Sequence, residues 1–189
     1  MKYRALVLTT CFILASCGGG SAGGDAACKE DYWDGTYGTC LPSDWVVIDS
    51  ETLRQRGVPE DTVVAFQSEI PISGQFPTVT VTQEVLARAT SPQVYSDASI
   101  RSVTVLPGYK ELDTLDMRVA GEKVRLHVFA AQPTADEPLR RFYQVSTVSD
   151  GVGYSITATT PASVEELLEN QVLLILRESV FAETTVKEE

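Results

Sequence analysis

RRFYQVSTVSDGVGYSITATTP, residues 140 to 161, decides the fold of this chain. Two runs rich in threonine, valine and aromatic residues, RRFYQVSTV (140 to 148) and GYSITATT (153 to 160), flank Asp150-Gly151. That dipeptide favours a tight turn between antiparallel strands, so the stretch reads as a β-hairpin. Upstream, KVRLHVFA (123 to 130) sets Val124, Leu126 and Val128 on one side of a strand and Arg125, His127 and Phe129 on the other. Gly121-Glu122 turns the preceding ELDTLDMRVA back into it. WVVID (45 to 49), TVVAFQS (62 to 68) and TVTVTQEVL (78 to 86) are further strands, separated by breaks rich in glycine and proline. There is no βαβ alternation and no glycine-rich phosphate loop, so the pairing is expected to be antiparallel throughout.

Two segments leave the strand rhythm. Ser91-Pro92 opens QVYSDASIRSV, with Ser91 placed to cap a helix and Pro92 to fill its first turn. Thr160-Pro161 precedes SVEELLENQVLLILRESVFAE, in which Ser163-x-x-Glu166 has the form of a capping box. Val164, Leu168, Val172 and Ile175 make one apolar stripe, widened by Leu167, Leu174 and Leu176, so this helix is expected to cover a sheet face.

The beginning of the chain reads differently. Lys2 and Arg4 precede ALVLTTCFIL (5 to 14), which has the charged start and the roughly 7 to 15 apolar residues of a secretory signal. It falls short of the ~20 residues that a membrane-spanning helix needs. Leu14-Ala15-Ser16-Cys17 resembles the lipobox of bacterial lipoproteins. The resemblance implies removal of residues 1 to 16 and lipidation of the Cys17 thiol; an ordinary signal cut near Ala22 or Ala27 is the alternative. Residues 17 to 27 would then be a glycine-rich tether with a reach of about 15 to 20 Å. Gly18, rather than aspartate, after the cysteine favours the periplasmic face of the outer membrane by the same resemblance. The formal charge of −11 argues against nucleic acid and anionic headgroups as partners. Lipid would supply the membrane attachment.

Of the four cysteines, Cys11 lies in the signal and Cys17 is the lipid site, which leaves Cys28 and Cys40 as a pair in an exported, oxidising setting. A bridge across residues 28 to 40 would staple the loop KEDYWDGTYGT, with Asp34-Gly35 at its turn. A redox or metal pair is the other reading, but the spacing is not C-x-x-C and no nearby histidine completes a zinc set. Asp31 and Asp34 lack the pattern of a calcium loop, so neither metal nor cofactor is expected. Tyr32, Trp33 and Tyr37 inside the loop suit contact with a partner; their alternative is to pack down near Trp45.

The order of these elements resembles the PsbP-like fold. The likeness rests on the strand opening at Trp45, the helix near SPQVYSDAS, LPGY at 106 to 109, Gly121 in its hairpin, YQVSTVSDGVGYSITATT, and Ser179-Val180-Phe181 at the helix end. It covers about residues 41 to 182, close to the domain expected at 41 to 183, with a charged tail at 184 to 189. It implies an α+β fold: an antiparallel sheet of about six to seven strands flanked by helices, an α/β/α sandwich. PsbP-like proteins, among them bacterial envelope lipoproteins, chiefly bind or assist assembly.

No catalytic constellation is expected. His127 is the single histidine and lies in a strand, without a G-x-S-x-G elbow to present a nucleophile. Glu111, Asp113 and Asp116 cluster, but strand alternation puts 111 and 113 on one face and 116 on the other, as solvated edge acids. Three functions follow in order. The first is a lipid-anchored, non-catalytic binding or assembly module with an envelope protein partner. The second is a small-molecule carrier with an apolar pocket between helix and sheet. The third is an enzyme that depends on His127.

Overall fold

The computed structural model describes residues 26–55 and 57–182. The signal segment 1 to 16, Cys17, the tether up to residue 25 and the tail 184 to 189 lie outside the described residues. Ten strands and three helices follow in the order β1 (Cys28–Trp33), β2 (Tyr37–Pro42), β3 (Trp45–Ile48), α1 (Ser50–Gln55), β4 (Thr62–Ser68), β5 (Thr78–Val85), α2 (Pro92–Val103), β6 (Lys110–Val119), β7 (Glu122–Ala131), β8 (Arg140–Ser149), β9 (Val152–Pro161), α3 (Glu166–Arg177) and β10 (Val180–Phe181). β3 to β9 form a seven-stranded antiparallel sheet in the order β3-β4-β5-β9-β8-β7-β6. A second sheet of three strands, β1-β2-β10, is also antiparallel.

The deciding stretch forms the β8–β9 hairpin, with Ser149 opposite Val152 and Asp150-Gly151 at the turn. Both turn residues have positive φ, 48° and 77°, as do Ala120 and Gly121 between β6 and β7, at 48° and 82°. Two positive values in a two-residue loop match the right-handed twist of the flanking strands. Along β9, Tyr154, Ile156 and Ala158 point to one face, beside Tyr143 and Val145 of β8 and Val79 and Val81 of β5. Leu168, Val172, Ile175 and Leu176 of α3 close over that face, and each is at least 95% buried. At roughly 1.5 to 3 kcal/mol for each such side chain, this layer carries much of the core.

α2 covers the opposite face. It begins as its sequence indicates, with Ser91 Oγ accepting from the Val94 N–H at 3.3 Å and Pro92 in the first turn. Under it Phe129 stacks on Phe142 at 4.9 Å, with Val103, Leu106 and Tyr109 alongside.

Three expectations change. α3 is shorter at both ends: its N-cap is Glu165, whose side chain makes no capping bond, and Ser163 lies outside the helix. After Arg177 the chain leaves the helix, and Val180 and Phe181 pair with Gly38 and Tyr37 of β2. The buried Ser179 hydroxyl donates to the Ile175 carbonyl at 3.0 Å and shares a 2.8 Å hydrogen bond with the Tyr37 hydroxyl, which fixes the departure. The segment from 28 to 40 is a hairpin rather than a loop, with its turn at Asp34-Gly35 as read. Finally, a bulge between Glu111 and Asp113 shifts the register of β6. Glu111 lies opposite Phe129 and Asp116 opposite Arg125 on the α2 face, while Asp113, opposite Val128, points to the other side. The acids alternate against the simple count because the bulge adds a residue to one strand only.

Candidate functional site

The Cys28–Cys40 bridge is present, with Cα atoms 5.6 Å apart, and spans the β1–β2 hairpin near the start of β1. With both sulfurs so engaged, the grouping of Cys28, Asp31 and Cys40 has no thiolate to offer a metal. At the other end of the hairpin Asp34 organises the turn. Burial works against its ionisation, yet its Oδ1 accepts from the backbone N–H of Thr36 (2.7 Å) and of Tyr37 (2.8 Å) and from the Thr36 hydroxyl (2.8 Å). These donors hold its carboxyl below the usual range.

The three aromatic residues of the hairpin divide. Tyr37 is fully buried against Phe66 and Phe181 and bonded to Ser179, so it fastens β2 to α3 and has no surface for a partner. Burial pushes its phenol far above the usual tyrosine range. Tyr32 is half-buried, edge-on to Phe66 at 5.1 Å. Burial, then the charge of Asp34, raises its phenol as well. Trp33 alone of the three faces outward and is 54% exposed.

Its position is fixed from below. Trp33 and Val180 both pair with Gly38, from the two sides of β2. A Cβ on Gly38 would lie 2.6 Å from the Trp33 ring, 2.8 Å from the Tyr32 carbonyl oxygen and 3.1 Å from a Val180 methyl. The indole therefore rests directly on the glycine, beside Val180, which is 45% exposed. A shallow groove of about 340 Å³ runs along this face, with Trp33 and Val180 as its apolar part and Asp31 and Glu178 as its acidic part. Sequence reasoning passed over Gly38 and noted Val180 only as part of a helix end. A glycine directly after Tyr37 and two residues before Cys40 was the one available signal for Gly38.

The remaining candidates settle into structure. His127 is 99% buried, its Nε2 3.1 Å from the Tyr109 hydroxyl and its ring stacked on Phe129 at 4.8 Å. Burial lowers its pKa, with the Glu111 carboxylate opposing. Deep between α3 and the sheet, Tyr143, Ile156, Leu168 and Ile175 fill the space; the apolar recess there is a small one of about 210 Å³ at the margin, where Leu167 and Leu168 of α3 face Ile70 and Ile72. The recess beside α2 on the opposite face is lined mainly by hydroxyl groups. Among the described residues, no helix is long and apolar enough to cross a membrane.

No family model matches the chain, and no curated protein matches its sequence. Solved structures do resemble its fold. Cyanobacterial PsbP (CyanoP) from Synechocystis superposes with a TM-score of 0.59 at 12% identity over 86% of this chain and 98% of that one. LpqN of Mycobacterium tuberculosis, described as involved in cell envelope biogenesis, gives 0.54 at 14% identity over 76% and 82%. A protein from Bacteroides thetaiotaomicron gives 0.51 at 7% identity, where the match covers 78% of this chain and 46% of that longer one. The fold is thus PsbP-like and α+β; at these identities the likeness is one of architecture.

Proposed function

We propose that this protein is a non-catalytic binding or assembly module of the cell envelope, held at the membrane by acylation of Cys17. Its working surface is the outward face of the stapled sheet. The observation that carries this reading is Trp33, a large aromatic residue left more than half exposed yet held in one place by Gly38, Val180 and the nearby disulfide. An exposed tryptophan seated against its own sheet has less freedom to lose on binding, and tryptophan is among the residues that anchor protein interfaces. Asp31 and Glu178 beside it, on a chain of net charge −11, suit a protein partner that offers an apolar group ringed by lysine or arginine. The tether would run directly into β1, the strand that carries Trp33. The burial of His127, the chain's single histidine, supports the non-catalytic reading.

The test is a photo-crosslinking amino acid at position 33 in living cells, with a second probe at Val105, an exposed residue beyond the end of α2. The expected result is a discrete protein adduct from position 33, absent from position 105 and lost when Val180→Asp is added. Equal adducts from both positions, or none from position 33, would remove the assignment of this surface.

A further inference from the structure

The recess beside α2 has a volume of about 410 Å³, within the roughly 300 to 1,000 Å³ usual for small-molecule sites. Its floor comes from β5, β8 and β9, through Thr82, Gln144, Ser155 and Thr157 on the sheet face opposite α3. Its wall is the side of α2 that carries Tyr95, Ala98, Ser99 and Ser102. Tyr95 closes one end by lying on Gly153, where a Cβ would come within 2.5 Å of its ring.

The direction of the hydrogen bonds decides what could bind. Thr82 gives its hydroxyl proton to the Ser155 carbonyl, Ser99 to the Tyr95 carbonyl and Ser102 to the Ser99 carbonyl. Each oxygen keeps lone pairs for a further donor. Gln144 is 92% buried, and its Nε2 donates to the Thr157 hydroxyl at 3.4 Å. Its Oε1, buried beneath the floor, has no hydrogen-bond partner among the described residues, although buried polar atoms are nearly always paired. Among the lining residues Glu84 is the one with a charge, and it is negative. Burial raises the Tyr95 phenol above its usual range; Ser155 opposes this and the Glu84 carboxylate adds to it, so the ring stays neutral.

The site therefore offers free acceptor lone pairs at Thr82, Ser99 and Ser102 and hydroxyls able to donate or accept at Ser155 and Thr157, has no cation among its lining residues, and is bordered by an aromatic ring. Phosphates and carboxylates would find no counter-charge, and an apolar molecule would strip water from the hydroxyls without replacing its bonds. A molecule that brings many O–H donors fits. We propose that this recess is a binding site for an uncharged, polyhydroxylated ligand, namely a neutral carbohydrate unit. Its hydroxyl groups would donate to Thr82, Ser99 and Ser102.

The inference stands apart from the Trp33 surface, and its test separates the two. The full chain is applied to an array of neutral, anionic and amine-bearing oligosaccharides, and the strongest neutral binder is titrated while amide shifts are followed by NMR. Saturable binding of a neutral glycan is expected, with shifts at Thr82, Ser99 and Thr157. It should be unchanged in Trp33→Ala, about tenfold or more weaker in Ala98→Trp, which fills the recess from an exposed helix position, and weaker in Ser99→Ala. The melting temperature of each variant controls for folding. No neutral glycan bound, binding restricted to charged glycans, or equal binding by Ala98→Trp would overturn the proposal.

Discussion

Removing the disulfide should loosen β1 without unfolding the domain. In the double variant Cys28→Ala, Cys40→Ala the sequence separation across the lost link is 12. The chain-entropy relation gives about 3 kcal/mol for a closed loop of this size. The location of the loss follows from how the two strands are held. β2 is buried along its whole length and tied to α3 by Tyr37 with Ser179 and by Thr39, whose hydroxyl donates to the Ile175 carbonyl at 2.7 Å. β1 has exposed residues from Cys28 to Asp31 and again at Trp33, and reaches the core through Tyr32 alone. With the link gone, β1 is therefore the part that opens first, below the opening of the whole fold. Native-state hydrogen exchange is the assay: amides of β1 should exchange roughly a hundredfold faster, the factor that corresponds to about 3 kcal/mol. Those of β8 and β9, which exchange only when the whole domain opens, should lose up to the same factor, because the link acts on the unfolded chain, and still stay better protected than β1. Unchanged protection of β1, or β1 as well protected as β8 and β9, would contradict this order of opening.

Other consequences follow from the same contacts. Ile175→Ala, at a fully buried position of α3, should cost about 2–5 kcal/mol in urea unfolding with an unchanged m-value. Gly153→Ala would drive a methyl into the Tyr95 ring and should lower stability by about 1–3 kcal/mol, read as a drop in melting temperature that Tyr95→Ala partly relieves. Trp33→Ala should change stability by less than about 0.5 kcal/mol, which a thermal melt will show, because its exposed ring packs on the surface. His127 gives a pH dependence: its folded-state pKa is lowered by burial, so its contribution is present above about pH 6.5 and is lost as pH falls below that value. Urea midpoints measured downward from neutrality should fall more steeply for the native protein than for His127→Gln.

How much of this was written in the sequence depends on whether the cause was local. The β6–β7 and β8–β9 hairpins were legible because Ala120-Gly121 and Asp150-Gly151 carry their turn geometry in two residues. α2 was legible because Ser91 and Pro92 cap it by themselves. The end of α3 was not. Val180 and Phe181 continue an apolar helical pattern, and only pairing with β2, some 140 residues away, turns them into a strand. β2 itself, YGTCLP, has a glycine, a proline and no β-branched aliphatic residue, so propensity hid a strand that burial alone makes. The bulge in β6 has no sequence mark, and it put Glu111 and Asp113 on opposite faces. At the candidate surface the aromatic cluster could be seen, but which ring turned outward depended on Phe66 and Ser179, both remote in sequence.

The claim on which the whole account rests is the lipid attachment that would keep this body at a membrane. Cells given an alkyne fatty acid should incorporate it into the native protein, and Cys17→Ser should abolish the signal and release the protein from the membrane fraction. A native product that takes up no label, or a Cys17→Ser product labelled to the same extent, would contradict it.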